Sequence, residues 1–277
     1  MRLMMLCGEK LSAAEEHLYR LEDAVDGFFQ ENPDVFRIGG QPDPKGSKYL
    51  FGVQAALRPL EMEWGIIIGD AIHCVRSCLD QLVYGLAAKP DDRTAFPICR
   101  SEKDWVTRAP GQLWSVPEGV IEIIHKAQPY HRGDANAMHP LAVIQALSNM
   151  DKHQTISTTA LVPSVTTARV IKTVGIAEWK AIKFHLGRPY KAGAVIAECE
   201  IVPDDSGVEP QMQVKFGGRF DIGFGEVQKA PSINFKPVVP FVRDVLCVFA
   251  VTEVVGPVTN YLRDNGLLGS HPAAASP

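Results

Sequence analysis

The sequence predicts an α+β fold in which a helical bundle carries an attached antiparallel β-sheet. Apolar residues recur at helical spacing in four stretches, near 9–32, 64–86, 140–153 and 240–265. From 154 to 224 the chain is instead β-branched or alternating, broken by Pro, Gly and Asp clusters. With 277 residues, 46% hydrophobic and 22% charged, it can bury a full core in one large domain or two small ones. The organisation expected is a mainly helical domain over 1–153 with a hairpin near 35–57 and an antiparallel region over 154–235. A helix at 236–265 then packs back on the bundle, and 266–277 form a disordered tail.

Each element has a local reason. Leu11, Ala14, Leu18, Leu21, Val25 and Phe28 share one face of the first helix, and Asn32-Pro33 supplies its stop signal. A β-like run at 35–38, the turn-rich GGQPDPKGS and a second run at 48–57 predict the hairpin. Between Lys89 and Gly133 five prolines mark a loop-rich course. Within it Ser115-Val-Pro-Glu118 has the form of a capping box, which predicts a short helix through Glu122 to Lys126. His139-Pro140 opens the next helix, which runs to about His153. The last helix is expected to be interrupted near Gly256-Pro257.

A net charge of −4 argues against a protein held to nucleic acid by bulk positive charge, while leaving room for a local basic groove. The six cysteines form no CxxC pair, so a reduced, cytoplasmic chain is expected, with Cys74 and Cys78 acting as small buried apolar groups. The opening turns charged at Glu9 and Lys10, too early for a signal peptide. The apolar run near the C-terminus carries Arg243, Asp244 and Glu253, so no membrane association is expected. Walker-type and GxGxxG phosphate loops and a nucleophile elbow are absent from the sequence.

Chemistry concentrates on 64–86. Plotted at about 100° per residue, this stretch separates a continuous apolar arc from a narrow stripe of Asp70, His73, Arg76, Ser77 and Asp80. In one reading Asp80 or Asp70 pairs with Arg76 as a structural seam. In the other, His73 is a general acid or base and Arg76 clamps a phosphate or carboxylate. On the 140–153 helix, Asn149 and His153 lie beside the small residues Ala142 and Ala146, and Gln145, Ser148 and Lys152 are placed on the exposed side. Asp151 falls among apolar positions, where it should meet a cation such as Arg76 or mark a pocket. His153 also suits a helix C-terminus. The loop QPYHRGD offers His131 and Arg132. Metal ligand types are present, but the histidine spacing of a metal helix is not, so no metal or cofactor is expected.

The ordered series GDAIHCVRSCLDQLV at 69–83, FPI at 96–98, AQPYHRG, HPL at 139–141 and LSNMDKH resembles a widespread set of bacterial proteins of unknown function, over roughly residues 10 to 160. A more distant likeness is to HEPN domains, helical bundles that often dimerise and include metal-independent ribonucleases. That likeness implies an arginine and a histidine on one helix meeting their dimer mates at a cleft. Arg76 matches the arginine, but Gln81 stands where the histidine falls, and glutamine cannot shuttle protons at neutral pH. His73 or His153 would have to substitute.

The function expected is therefore binding of an anionic ligand or partner at a polar seam between helices 64–86 and 140–153, through Asp70, Asp80, Asn149, Asp151, His131 and Arg132. One alternative is a HEPN-like ribonuclease using His73, Arg76 and His153; another is a metal-dependent enzyme. Expected partners are a second copy of the chain, and RNA or a small anion.

Overall fold

The computed structural model describes residues 2–33, 35–56, 59–161, 166–218, 220–228 and 230–267. The expected tail lies, from 268 onward, outside the described residues. The fold is α+β, a helical bundle with a curled antiparallel sheet.

Helices α1 (Arg2–Glu31) and α2 (Glu63–Leu86) pair antiparallel. Leu3 lies against Gly85, the Cys7 thiol donates to the Cys78 carbonyl at 3.7 Å, and Phe28 meets Trp64 edge-on at 5.2 Å. Every member of the predicted α2 arc is buried except half-buried Leu86, because α1, the helix Pro140–Asp151 and the C-terminal helix all pack on it.

The stretch expected to be mostly loop contains one more helix. α3 (Glu102–Gln112) starts where Ser101 Oγ accepts the Asp104 amide at 3.1 Å, and Asp104 and Glu102 favour its positive end. Pro110 sits in its last turn, and the helix ends two residues later. α4 (Glu118–Lys126) forms without the expected capping box: Pro117 is its N-cap, and Ser115 Oγ instead accepts the Lys89 amide at 3.1 Å. A 3₁₀ segment (Pro129–Met138) leads into α5 (Pro140–Asp151), whose first turn is capped by His139 Nδ1 accepting the Leu141 amide.

The C-terminal helix, α6 (238–264), is continuous, so the interruption expected at Gly256-Pro257 does not occur. Val238, Val242, Leu246, Ala250, Val254, Val258 and Leu262, spaced by four, are all buried. In a regular α-helix each step of four would carry that row about 40° round the axis, and the whole row would end on the wrong side. Two π-wound stretches, Phe241–Cys247 and Ala250–Val255, lower the turn per residue and keep the row facing the core. The first and last helices meet here: Arg243 Nε donates to Glu15 at 2.9 Å and Thr259 Oγ1 to Met4 Sδ at 2.9 Å.

Strands β1 (Phe36–Pro42) and β2 (Lys48–Ala56) form the predicted hairpin, but it is not a separate unit. β2 pairs with β7 (Val195–Pro203), which also pairs with β5 (Ile176–Trp179) and β6 (Lys183–Phe184). β4 (Thr166–Val174) pairs with β8 (Gln211–Gly218) as a ribbon over that sheet, and β3 (Thr158–Leu161) pairs with β9 (Asp221–Phe224) on the bundle side. Gly175 makes the corner from β4 to β5 with φ +66°, and a β-carbon there would sit 2.5 Å from the Val208 carbonyl oxygen. Aromatic contacts join the two layers, Phe29 of α1 stacking on Phe220 at 4.1 Å and meeting Phe36 of β1 at 6.3 Å.

Candidate functional site

The polar stripe of α2 divides into two groups with different neighbours. In the first, Arg76 donates through Nε and Nη2 to both carboxylate oxygens of Asp80, at 3.0 and 2.7 Å. The same Nη2 reaches the Phe96 carbonyl at 2.8 Å, and Asp80 Oδ1 accepts the Phe96 amide at 2.9 Å. Two side chains one turn apart on α2 thus hold both backbone groups of Phe96, as a neighbouring strand would. Arg76 Nη1 is enclosed and has no hydrogen-bond partner among the described residues, so the guanidinium presents no open fork to an anion. Gln128 grips the other end of the FPI segment: wholly buried, it accepts the Cys99 amide at 2.9 Å and donates to the carbonyls of Pro97 and Ile124 at 3.0 and 2.9 Å.

The second group lies nearer the start of α2. Gly65 and Gly69 leave bare backbone on the side facing the end of α5; a β-carbon on Gly69 would overlap Asp151 Oδ1, and one on Gly65 the Ile156 carbonyl oxygen. The Asp151 carboxyl therefore sits directly on α2. Its pKa is raised above the usual carboxylate value, chiefly by burial and then by the Asp70 carboxylate, while His73 works in the opposite direction. His73 Nε2 lies 3.2 Å from Ser77 Oγ, one turn further on. Asp70, His73 and Asp151 are all solvent-accessible, so this group opens to the surface.

The expected meeting of Arg76 with Asp151 and His153 does not occur. Asp151 stands at the level of Gly69 and Ile156 at that of Gly65, so the chain between them, His153 included, runs away from Arg76. From Gly69 to Arg76 is roughly 10 Å of helix rise. His153 is exposed beyond the end of α5. Asn149 turns along its own helix to accept Gln145 Nε2 at 2.8 Å, and Ser148, expected on the outside, is buried. His131 and Arg132 belong to the opposite end of α5. His131 Nε2 lies 2.9 Å from the His125 carbonyl, its ring packs on His125 and Tyr130, and the pKa of His139 is lowered chiefly by burial and then by the charge of Arg132. A twelve-residue helix, about 18 Å long, separates them from Asp151.

Among the described residues no group of three or more His, Cys, Asp or Glu side chains is placed to hold a metal ion, and no helix is long and apolar enough to cross a membrane. All six cysteines are free and buried.

Sequence reasoning did not single out Gln128, and read His139 only as the start of a helix. Both fall inside motifs already noticed, AQPY and HPL, and only the structure reveals them as buried polar groups. No family model, curated protein or solved structure matches the chain.

Proposed function

We propose that the protein is a non-catalytic binding protein whose ligand or partner engages Asp70, His73 and Asp151 at the seam of α2 and α5. The observation that carries this reading is the seating of Asp151 on the bare backbone of Gly69, beside Asp70 and His73, at a place open to solvent. The chemistry differs from the anion clamp expected from the sequence. Arg76, the cation of the stripe, is engaged by Asp80 and Phe96, and what remains is two carboxylates and an imidazole. That set accepts hydrogen bonds from a cationic group such as an amine or guanidinium.

Thermal-shift measurements with methylguanidinium and butylamine, against sodium acetate and phosphate, test it. A rise in melting temperature is expected with the cations, and its loss in Asp70→Asn and Asp151→Asn. Stabilisation by the anions alone overturns the reading. The ribonuclease alternative needs an Arg76 free to meet RNA phosphate. RNA incubated with the protein in chelator is expected to stay intact, and cleavage lost in Arg76→Ala would reinstate that alternative.

A further inference from the structure

The β4–β8 ribbon has two unlike faces. Ala168, Val170, Met212, Val214 and Phe216 turn inward onto the sheet, where Phe216 meets Phe51 edge-on at 5.2 Å. The outward face carries Arg169 directly opposite Lys215, with Lys172 opposite Gln213. Neither strand contains an Asp or Glu, and among the described residues none of these three cations enters an ion pair or hydrogen bond. Like charges directly across an antiparallel pair repel, which is unusual in a chain of net charge −4. The register shift between Val170 and Lys172 makes Ile171 a bulge residue, and this extra residue rotates Lys172 onto the side of Arg169. Without the bulge, strict alternation would point Lys172 at the core. Asp204 and Asp205 belong to the turn region beyond the far end of the ribbon, while Glu209, just before β8, lines a hollow together with Lys172 without forming an ion pair with it.

We propose that this outer face docks on the backbone of double-stranded RNA. Three uncompensated cations fit a polyanion, and Gln211, Gln213 and Thr167 beside them supply groups for 2′-hydroxyls. The ribbon is packed on the sheet beneath and lies alongside β1, across a hollow lined by Gln41, Tyr49, Lys172, Gln211 and Gln213, so it offers a supported face rather than a protruding arm. Such a face matches the wide, shallow minor groove of an A-form duplex, whereas the grooves of B-DNA call for an inserted helix or ribbon. The outward face lacks aromatic side chains on which unpaired bases would stack, which sets single strands aside.

The test is fluorescence anisotropy of a labelled RNA duplex of about 16 base pairs, with the same sequence as DNA for comparison. Binding near 10 μM at low salt is expected, with a log–log salt slope of about −2.7 for three neutralised phosphates. The DNA duplex should bind more weakly. Arg169→Glu with Lys215→Glu should weaken RNA binding at least tenfold, and Lys103→Glu on α3 should leave it unchanged. Lys215→Glu alone carries a distinctive signature: it replaces repulsion with attraction across the pair, so the melting temperature rises while RNA affinity falls. The proposal is overturned by absence of binding at low salt, by equal affinity for DNA, or by an affinity that the ribbon substitutions do not change.

Discussion

Asp80 Oδ1 lies between Arg76 Nη2, at 2.7 Å, and the amide of Phe96, at 2.9 Å, while that same guanidinium nitrogen reaches the Phe96 carbonyl. The loop holding Phe96 is thereby fastened to the middle of α2 through a closed ring of hydrogen bonds. Arg76→Ala should leave both the Phe96 carbonyl and Asp80 short of a partner, lowering stability by about 2–3 kcal/mol in urea titrations. Arg76→Lys should recover little of it, because an ammonium cannot reproduce the planar fork. An Arg76→Ala protein as stable as the parent would contradict this assignment.

Gln128→Leu removes the partner of three backbone groups on the same loop and its neighbour α4. Because the side chain is wholly enclosed, water cannot substitute, and a loss of about 3 kcal/mol or more is expected in the same titration. Hydrogen exchange at the Cys99 amide should accelerate.

Two glycines on one face of α2 should respond in opposite ways. Gly65→Ala drives a methyl group against the Ile156 carbonyl, part of the backbone, and should cost about 1–3 kcal/mol. Gly69→Ala meets only the end of the Asp151 side chain, which can swing into solvent. There the gain in helix propensity should dominate, up to about 1 kcal/mol, while cation binding at the seam is lost. Equal destabilisation by the two substitutions would show that Asp151 is held more firmly than its exposure indicates.

Burial, with a smaller contribution from Arg132, pushes the His139 imidazole down to about 4. An unfolded histidine titrates near ~6.5, so between these values the unfolded chain takes up a proton that the folded one refuses. Stability should therefore fall as pH drops from 6.5 towards 4, by up to about 3 kcal/mol from this group. His139→Asn keeps a capping acceptor for the Leu141 amide and should flatten the profile in that window. Asp151 contributes with the opposite sign: its raised pKa makes the ionised form costly in the folded state, so Asp151→Asn should raise stability at neutral pH.

The long helices were legible because each buries one face, and simple periodicity reports that. α3 was missed because Pro110 reads as a breaker, although Ser101, Glu102 and Asp104 together spell a helix start. The course of α6 was present in the sequence as an apolar residue at every fourth place from Val238 to Leu262, a spacing longer than the α period. Pro257 drew attention to a break, whereas the π-wound turns before it absorb the change in winding. At the site, a helical wheel ranks residues by direction but not by height. It put Arg76 and Asp151 on facing sides without revealing that they stand two turns apart. The pairing of Asp80 with Arg76 followed from their spacing of four; the role of Phe96 as its third member did not, since a backbone group leaves no mark on composition.

Met4 touches Thr259 and Glu15 touches Arg243, contacts that span 255 and 228 residues. During synthesis the flank of α2 destined for α6 has no cover until residues 238–264 have left the ribosome. Loop-closure entropy on this scale slows folding, and the waiting surface is sticky. Premature termination inside α6 should thus yield not a shortened version of this molecule but an aggregating chain, even though every residue of the proposed seam has been made.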